Sequence, residues 1–372
     1  MDRELYDVAV IGAGPAGASA ALLLAQKGRT VALIEREKFP RPVPCSGWVS
    51  ARAAALLKEW GVKVKRILTD PFREVTFYSA DFEKKAKPVF PDTPGYLVDR
   101  AAFDEGLVEA AVKRKAVFFQ GSEAADIRLR ESAVTVTLAN ERTIESRLLL
   151  LAPGRISHLL DRLKIRKEPG AVPIWAAQVR AELAPGQGPD QPQVGVVLGL
   201  DGAGSFGFCC ATKQRASVDV NWAGDPAQTR LVLAHLCKQA AARGAVPVDL
   251  SAKAGSAAVI RTPAGTALDM DSHVRKHTLL IGDAGGFVSA VSNEGIYPAM
   301  WSARIAADVV DQALASEPSQ DTLMTFDSRW RMEMADHLRS PHTDIRFILP
   351  LVFTNQPMAD RMGAAFFFGE NI

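Results

Sequence analysis

The chain has 372 residues, 48% of them hydrophobic and 23% charged, which suits a globular protein of one large domain or two interleaved ones. A formal charge of +2 excludes nucleic-acid binding driven by bulk electrostatics. No apolar run approaches the about 20 residues of a membrane span and no secretory signal opens the chain; the four cysteines, without a CxxC pair, suit reduced thiols in the cytoplasm.

Residues 5–11, LYDVAVI, read as a short buried parallel strand. The turn Gly12-Ala13-Gly14-Pro15-Ala16-Gly17 follows, then a helical run over 18–27 closed by Gly28, then a second strand over 31–34 ending on Glu35. This order is a βαβ dinucleotide-binding unit. Gly12 permits the tight turn, Gly14 lets backbone N–H groups approach a pyrophosphate, and Gly17 lets helix and strand pack closely. Pro15 suits the first helical turn, where its missing donor costs nothing, and the helix N-terminus favours the phosphates. Glu35 is placed to accept from both ribose hydroxyls, and its charge argues against a 2′-phosphate.

A proline-rich loop spans 36–48 and carries Cys45, Ser46 and Gly47. Ser50 is positioned to cap a helix through Trp60, and Gly61 ends it. Alternating segments follow at 74–78 and 87–90, then a short strand at 96–98; Asp99 caps a helix over 100–114. A strand at 116–119 continues the first sheet, 126–130 and 133–138 form a hairpin, and the apolar strand 148–151 ends at Ala152-Pro153-Gly154. Between 172 and 222 the pattern becomes antiparallel, with strands at 175–182, 193–200, 205–210 and 216–222 forming a wall. A helix over 226–243, a strand over 258–262 and a buried strand over 278–281 come next, and long helices cover 294–314 and 320–337.

The buried strand at 278–281 leads into Gly282-Asp283-Ala284-Gly285-Gly286. Asp283 can bind a polyol hydroxyl or serve as a simple turn residue. Glu294-Gly295-Ile296, with Pro298 early in the next helix, leaves unsatisfied N–H groups at a helix start. Aimed at a ring carbonyl, such a start stabilises charge building on that ring, as a reduced flavin requires.

Other motifs carry less chemistry. Residues 202–207, GAGSFG, fit GxGxxG but precede an antiparallel pattern, so a hairpin turn is expected there and no second dinucleotide site. His273 and His277 lie in the polar stretch HVRKH and read as a solvated loop, not a metal site. No HExxH or GxSxG is present, so metalloprotease and serine-hydrolase readings drop away. The C-terminal residues 347–353 and 362–368 are apolar and aromatic, which suits a helical cap over the substrate domain, a greasy substrate tunnel or a shallow membrane-surface contact.

The segments VIGAGPAGASAALLLAQKG…VALIER, FPRPVPCSGWVS, DRAAFD and GDAGGFV…NEGIYPAM occur in one order that resembles FAD-dependent oxidoreductases of the para-hydroxybenzoate-hydroxylase fold, and within it the geranylgeranyl reductase family. The resemblance implies an α+β fold: a Rossmann-like α/β FAD-binding domain over 1–70, 96–165 and 255–315, an antiparallel-sheet substrate domain over 71–95 and 166–254, and a C-terminal helical cap over 316–372. It implies that Gly12, Ala13, Gly14, Pro15, Ala16 and Gly17 hold the diphosphate, that Glu35 and Arg36 lie at the adenosine end, and that Asp283 binds the ribitol. Cys45, Ser46, Arg100, Gly295 and Ile296 are implied to border the flavin, with Cys45 also near the substrate, and Phe206 and Phe208 to line the substrate site.

Three departures bear on the reaction. Ala152-Pro153-Gly154 replaces the family's alanine-aspartate-glycine, which argues against a standard NAD(P)H-driven monooxygenase. The tyrosine-x-tryptophan-x-phenylalanine-proline motif survives only as Phe206-Gly207-Phe208, and Ser46 stands where a glycine is usual. The first expectation is hydride transfer from reduced FAD to a carbon–carbon double bond of an apolar or prenyl-type small molecule, with Cys45 or a nearby water as proton donor. The alternatives are a monooxygenase acting on an aromatic or natural-product scaffold and a flavin electron-transfer protein. NAD(P)H or another electron donor would bind transiently, and Cys45 could equally be an inert buried thiol.

Overall fold

The computed structural model describes residues 5–154, 158–163, 173–201, 204–262, 266–316, 319–340 and 345–370. The first strand, Leu5–Ile11, runs through an eight-stranded sheet, parallel to Val31–Glu35 on one side and to Thr143–Leu151 on the other. Val117–Gln120 and Thr278–Leu280 extend the parallel order outward. Val8, Val10, Leu33 and Leu150 point to one face and Ala9, Ile11, Ile34 and Leu151 to the other, and all eight are buried. Burial on both faces is why these strands read as continuous apolar runs.

The helices Pro15–Gln26, Arg100–Lys113 and Ile296–Ala315 cover the first of these faces. The other is closed by the hairpin of Ala124–Leu129 and Val134–Leu138 and the short helix His158–Arg162. Ser319–Leu338 packs on Ile296–Ala315, sinking Phe326 and Trp330 into the same core.

A seven-stranded sheet runs in the order Ile260–Arg261, Trp175–Glu182, Arg215–Trp222, Phe206–Ala211, Gln193–Leu198, Val75–Ser79, Lys85–Ala86. It is antiparallel throughout except where Val75–Ser79 lies parallel to Gln193–Leu198. Thr229–Ala242 buries one face through Leu233, Leu236, Cys237 and Ala240. Ile345–Val352 and Gln356–Phe368 cover the other through Val352, Met362, Phe366 and Phe367. A three-stranded sheet of Trp48–Ser50, Gly95–Leu97 and Asp70–Phe72 carries Trp48 into this second core. No helix among the described residues is long and apolar enough to cross a membrane.

Two readings of the sequence need correction. The segment 87–90 is not a strand; the partner of Val75–Ser79 is the two-residue Lys85–Ala86, because Pro88 and Pro91 supply no ladder N–H beyond it. HVRKH is not a solvated loop. Val274–Arg275 pairs back on Thr278–Leu280, and His273 is buried against Phe287 and Trp330 with Nε2 2.8 Å from the Gly285 carbonyl. His277 makes the turn at φ +54° and sets its Nε2 2.9 Å from the Glu131 carbonyl. The Gly202 and Ala203 of GAGSFG lie outside the described residues, while the strands on either side pair antiparallel.

Candidate functional site

Two of the first turn's glycines are required by sterics. A Cβ on Gly12, which sits at φ +98°, would fall 2.1 Å from the Ala152 carbonyl oxygen, and one on Gly17 would fall 1.8 Å from the Gly12 oxygen. Gly14 is different: the nearest atom to its missing Cβ is Arg41 Nη2 at 3.7 Å, so this glycine keeps a face open. Gly14 also caps the helix Pro15–Gln26 without any side-chain hydrogen bond, leaving the first-turn N–H groups to an anion.

Glu35 is 8% exposed and points back at this turn, accepting from Ala13 N at 2.9 Å and Glu37 N at 3.0 Å. A cleft opens beside it, bounded by Ile34, Arg36, Ser122, Ala124, His158 and Leu159. Arg36 lies at its rim, exposed and 3.5 Å from Glu37. Arg41, a residue of the proline-rich loop, is half-buried over the turn. Its Nε lies 3.9 Å from Glu35 and its Nη2 3.3 Å from Asp104, and the Nε has no hydrogen-bond partner among the described residues. An open glycine face, an uncapped helix start and an unspent guanidinium N–H fit a diphosphate, and the cleft beside Glu35 fits the adenosine.

The second glycine turn meets the first. A Cβ on Gly282 would lie 2.7 Å from the Ala16 side chain, and Gly282 N donates to Ser302 Oγ at 3.1 Å. Asp283 faces the start of the long helix, since a Cβ on Gly295 would lie 3.1 Å from its Oδ1. Ile296–Ala315 begins at Gly295, which offers no side-chain cap; the Glu294 carboxyl takes the Tyr297 N–H, and the Gly295 and Ile296 N–H groups lie at the helix start.

The Cys45 loop closes against both sheets. Gly47, at φ +79°, lies so near the Val98 carbonyl that a Cβ would come to 2.3 Å of its oxygen. Cys45 Sγ accepts from Gly47 N at 3.5 Å, and the Cys45 carbonyl accepts from Gln178 Nε2 at 2.7 Å. Arg100 is held by Asp104 at 3.1 and 3.2 Å and hydrogen-bonds the Cys45 thiol; these partners outweigh burial and drive its pKa above the ordinary arginine range. Arginine is therefore the cation that folding sets beside Cys45, although no charged neighbour stands next to it in sequence.

Beyond the loop, Phe206 and Phe208 are both buried. Phe208 stacks on Trp48 (6.2 Å, 17°), Trp48 on Phe366 (5.8 Å, 19°), and Phe206 meets Phe366 edge-on at 5.3 Å. The C-terminal phenylalanines thus pack on the seven-stranded sheet, against the residues proposed to line a substrate site.

Glu294, next to Gly295, is buried, with no hydrogen-bond partner for Oε1 among the described residues, and burial pushes its carboxyl up to about 7 against the opposing pull of the Ser50 hydroxyl, Arg52 and the Tyr297 N–H. A carboxyl raised in this way adds most to stability below its unfolded value, and that contribution is lost as pH rises towards about 7. Glu294→Gln is therefore expected to gain roughly 2–3 kcal/mol over the parent at pH about 8 and little at pH about 4, read from urea melts at both.

The FAD binding domain family matches residues 5–334. The digeranylgeranylglycerophospholipid reductase of Methanocaldococcus jannaschii is 25% identical over 361 residues, 93% of this chain and 87% of that protein. The crystal structure of a geranylgeranyl bacteriochlorophyll reductase-like protein from Thermoplasma acidophilum superposes with a TM-score of 0.77 at 17% identity, covering 99% of this chain and 98% of that one. CmlS, a flavin-dependent halogenase, superposes with a TM-score of 0.69 at 19% identity over 98% of this chain and 72% of its own, so the fold alone does not choose the reaction.

Proposed function

We propose, from a chain that belongs to the FAD binding domain family, that this FAD-dependent oxidoreductase reduces carbon–carbon double bonds of an apolar, prenyl-type small molecule. The observation that carries the reading is the aromatic stack of Phe208, Trp48 and Phe366 directly beyond the Cys45 loop. These rings are buried against one another, so a hydrocarbon chain would lie along them by displacing the C-terminal helix Gln356–Phe368, and it would then meet the cofactor with no polar group to hold it, as an isoprenoid requires. The name of the methanogen reductase supports the same substrate class.

FAD supplies the hydride when bound. The chain's own residues hold and orient: the Gly14 face, Arg41 and the uncapped helix start take the diphosphate, Glu35 the ribose, and Asp283 the ribitol. The start of Ile296–Ala315 offers N–H groups to negative charge on the ring system, and Arg100 offers a fixed positive charge near Cys45. Phe347 and Leu351, exposed on Ile345–Val352, are where we place any contact with a lipid surface that presents the substrate.

Anaerobic photoreduction of the FAD-loaded protein, followed by addition of geranylgeraniol, tests the reading. Reoxidation of the flavin with a product heavier by two hydrogens is the expected result. Reoxidation by oxygen alone, with an oxygenated product, would establish the monooxygenase reading in its place.

A further inference from the structure

One polar cluster lies on the seam between the seven-stranded sheet and the Cys45 loop and takes no part in holding the cofactor. Along Arg215–Trp222, Ala216, Val218 and Val220 turn towards the helix Thr229–Ala242, and Ser217, Asp219 and Asn221 turn the other way. This second face is largely closed to solvent, since Ser217 and Asp219 are each only 7% exposed. Gln178 Nε2 donates to Asp219 Oδ1 at 2.6 Å and to the Cys45 carbonyl at 2.7 Å. Ser217 Oγ lies 3.2 Å from Asp219 Oδ2 and 3.2 Å from Cys210 Sγ, and Cys210 Sγ lies 4.0 Å from the Ser46 carbonyl. Two residues along the strand, Asn221 accepts from Asn293 Nδ2 at 3.0 Å, one residue before Glu294 and Gly295. A buried carboxyl is thus tied by hydrogen bonds to the Cys45 loop, on a strand that also grips the loop before the long helix.

We propose that Asp219, rather than Cys45, holds the proton that reduction adds to the substrate, and that Ser217 and Cys210 pass it to the seam. The proposal rests on the double-bond reading above. Saturating a double bond needs two electrons and two hydrogens. When bound, reduced FAD would supply the hydride for one carbon, and the other carbon needs a proton from the chain. Cys210 gives its thiol proton and regains one from Ser217, which regains one from Asp219. Two C–H bonds replace the π bond, the flavin is left oxidised, and Asp219 is left as a carboxylate that solvent reprotonates. An apolar substrate brings no acid of its own, so the protein must supply one.

The surroundings suit that task. Cys210 faces Asp219 from the neighbouring strand, while Cys209 and Cys237 lie on the helix side of the sheet and feel the Asp219 charge through it. All three thiols are pushed up by burial, Cys210 and Cys237 to about 12, so none carries charge at neutral pH. Gln178 and Ser217 are neutral, and the Arg215 guanidinium acts on Cys210. Burial raises Asp219 itself to about 7, against the pull of those two hydrogen bonds. Of the groups on this face, Asp219 is the one that burial brings towards neutrality.

The test compares Asp219→Asn, Asp219→Glu and Cys45→Ser in the FAD-loaded protein. The first readout is the rate at which the photoreduced enzyme is reoxidised anaerobically by geranylgeraniol across pH. The parent and Cys45→Ser are expected to slow about tenfold per unit above pH about 7, and Asp219→Glu to restore that limb. Asp219→Asn is expected to be about 100-fold slower with no limb, which loss of packing alone would not produce. The second readout needs no turnover: infrared difference spectra are expected to show a protonated-carboxyl band that titrates near neutrality in the parent and is missing in Asp219→Asn. A pH limb that survives in Asp219→Asn, or no such band in the parent, overturns the assignment alone. A parent that geranylgeraniol never reoxidises overturns the double-bond reading and this assignment with it.

Discussion

Gly17→Ala is expected to purify colourless and to lose roughly 3 kcal/mol of stability, the upper end of ordinary overpacking. The added methyl would sit 1.8 Å from the Gly12 oxygen, 2.9 Å from the Gly12 carbonyl carbon and 3.3 Å from a Val10 methyl, and two of these three are backbone atoms with no rotamer to leave by. Gly12 cannot yield, because it is itself wedged against the Ala152 carbonyl at a positive φ. The turn must therefore open, drawing the first N–H groups of Pro15–Gln26 away from the phosphate position and Ala13 N away from Glu35. Gly14→Ala separates the two consequences. Its methyl meets only Arg41 at 3.7 Å, so the fold should survive while the phosphate face is filled. Flavin absorbance per protein, and melting temperature with and without added FAD, report both. A yellow Gly17→Ala protein with the parent's melting temperature would show that the turn does not hold the diphosphate.

The contrast between those two glycines shows what can be read from a sequence. In the first βαβ unit every residue answers to a local demand, so spacing alone assigned Gly12, Gly14, Gly17 and Glu35, and the structure sets them at one turn. The places of Asp283 and Gly295 in the chain followed in the same way, one just past the end of a strand and the other at the start of a helix. Arg41 was not legible, because a loop arginine is ordinarily solvated and only the tertiary path of 36–48 folds it back over the turn. Gln178 and Asp219 failed differently. The alternation along Arg215–Trp222 was plain, but alternation tells which residues share a face and not which face meets water. Gln178 reaches the Cys45 carbonyl across 133 residues of chain, a distance over which no spacing rule operates. His273 is the same failure in a shorter stretch, a polar-looking run whose hairpin turns one imidazole into the core.

Phe366→Ala is the change expected to damage the second core most while sparing the first. Phe366 is 2% exposed and lies against Trp48 at 5.8 Å, Phe206 at 5.3 Å, Phe77 at 6.4 Å and Phe367 at 5.0 Å, so truncation leaves a hole walled by rings held on three other segments. Such walls collapse poorly, and a loss of about 3–5 kcal/mol is expected by urea denaturation. The cofactor turns share no ring with this cluster, so flavin content should stay at the parent's level, and added FAD should still raise the melting temperature by mass action. Loss of FAD and loss of aromatic packing are thus separable, and activity towards a prenyl substrate needs both. Reoxidation of the photoreduced Phe366→Ala protein by geranylgeraniol should therefore fall even though its flavin is fully reduced. Wild-type reoxidation in that variant would place the hydrocarbon chain elsewhere than along Trp48 and Phe208.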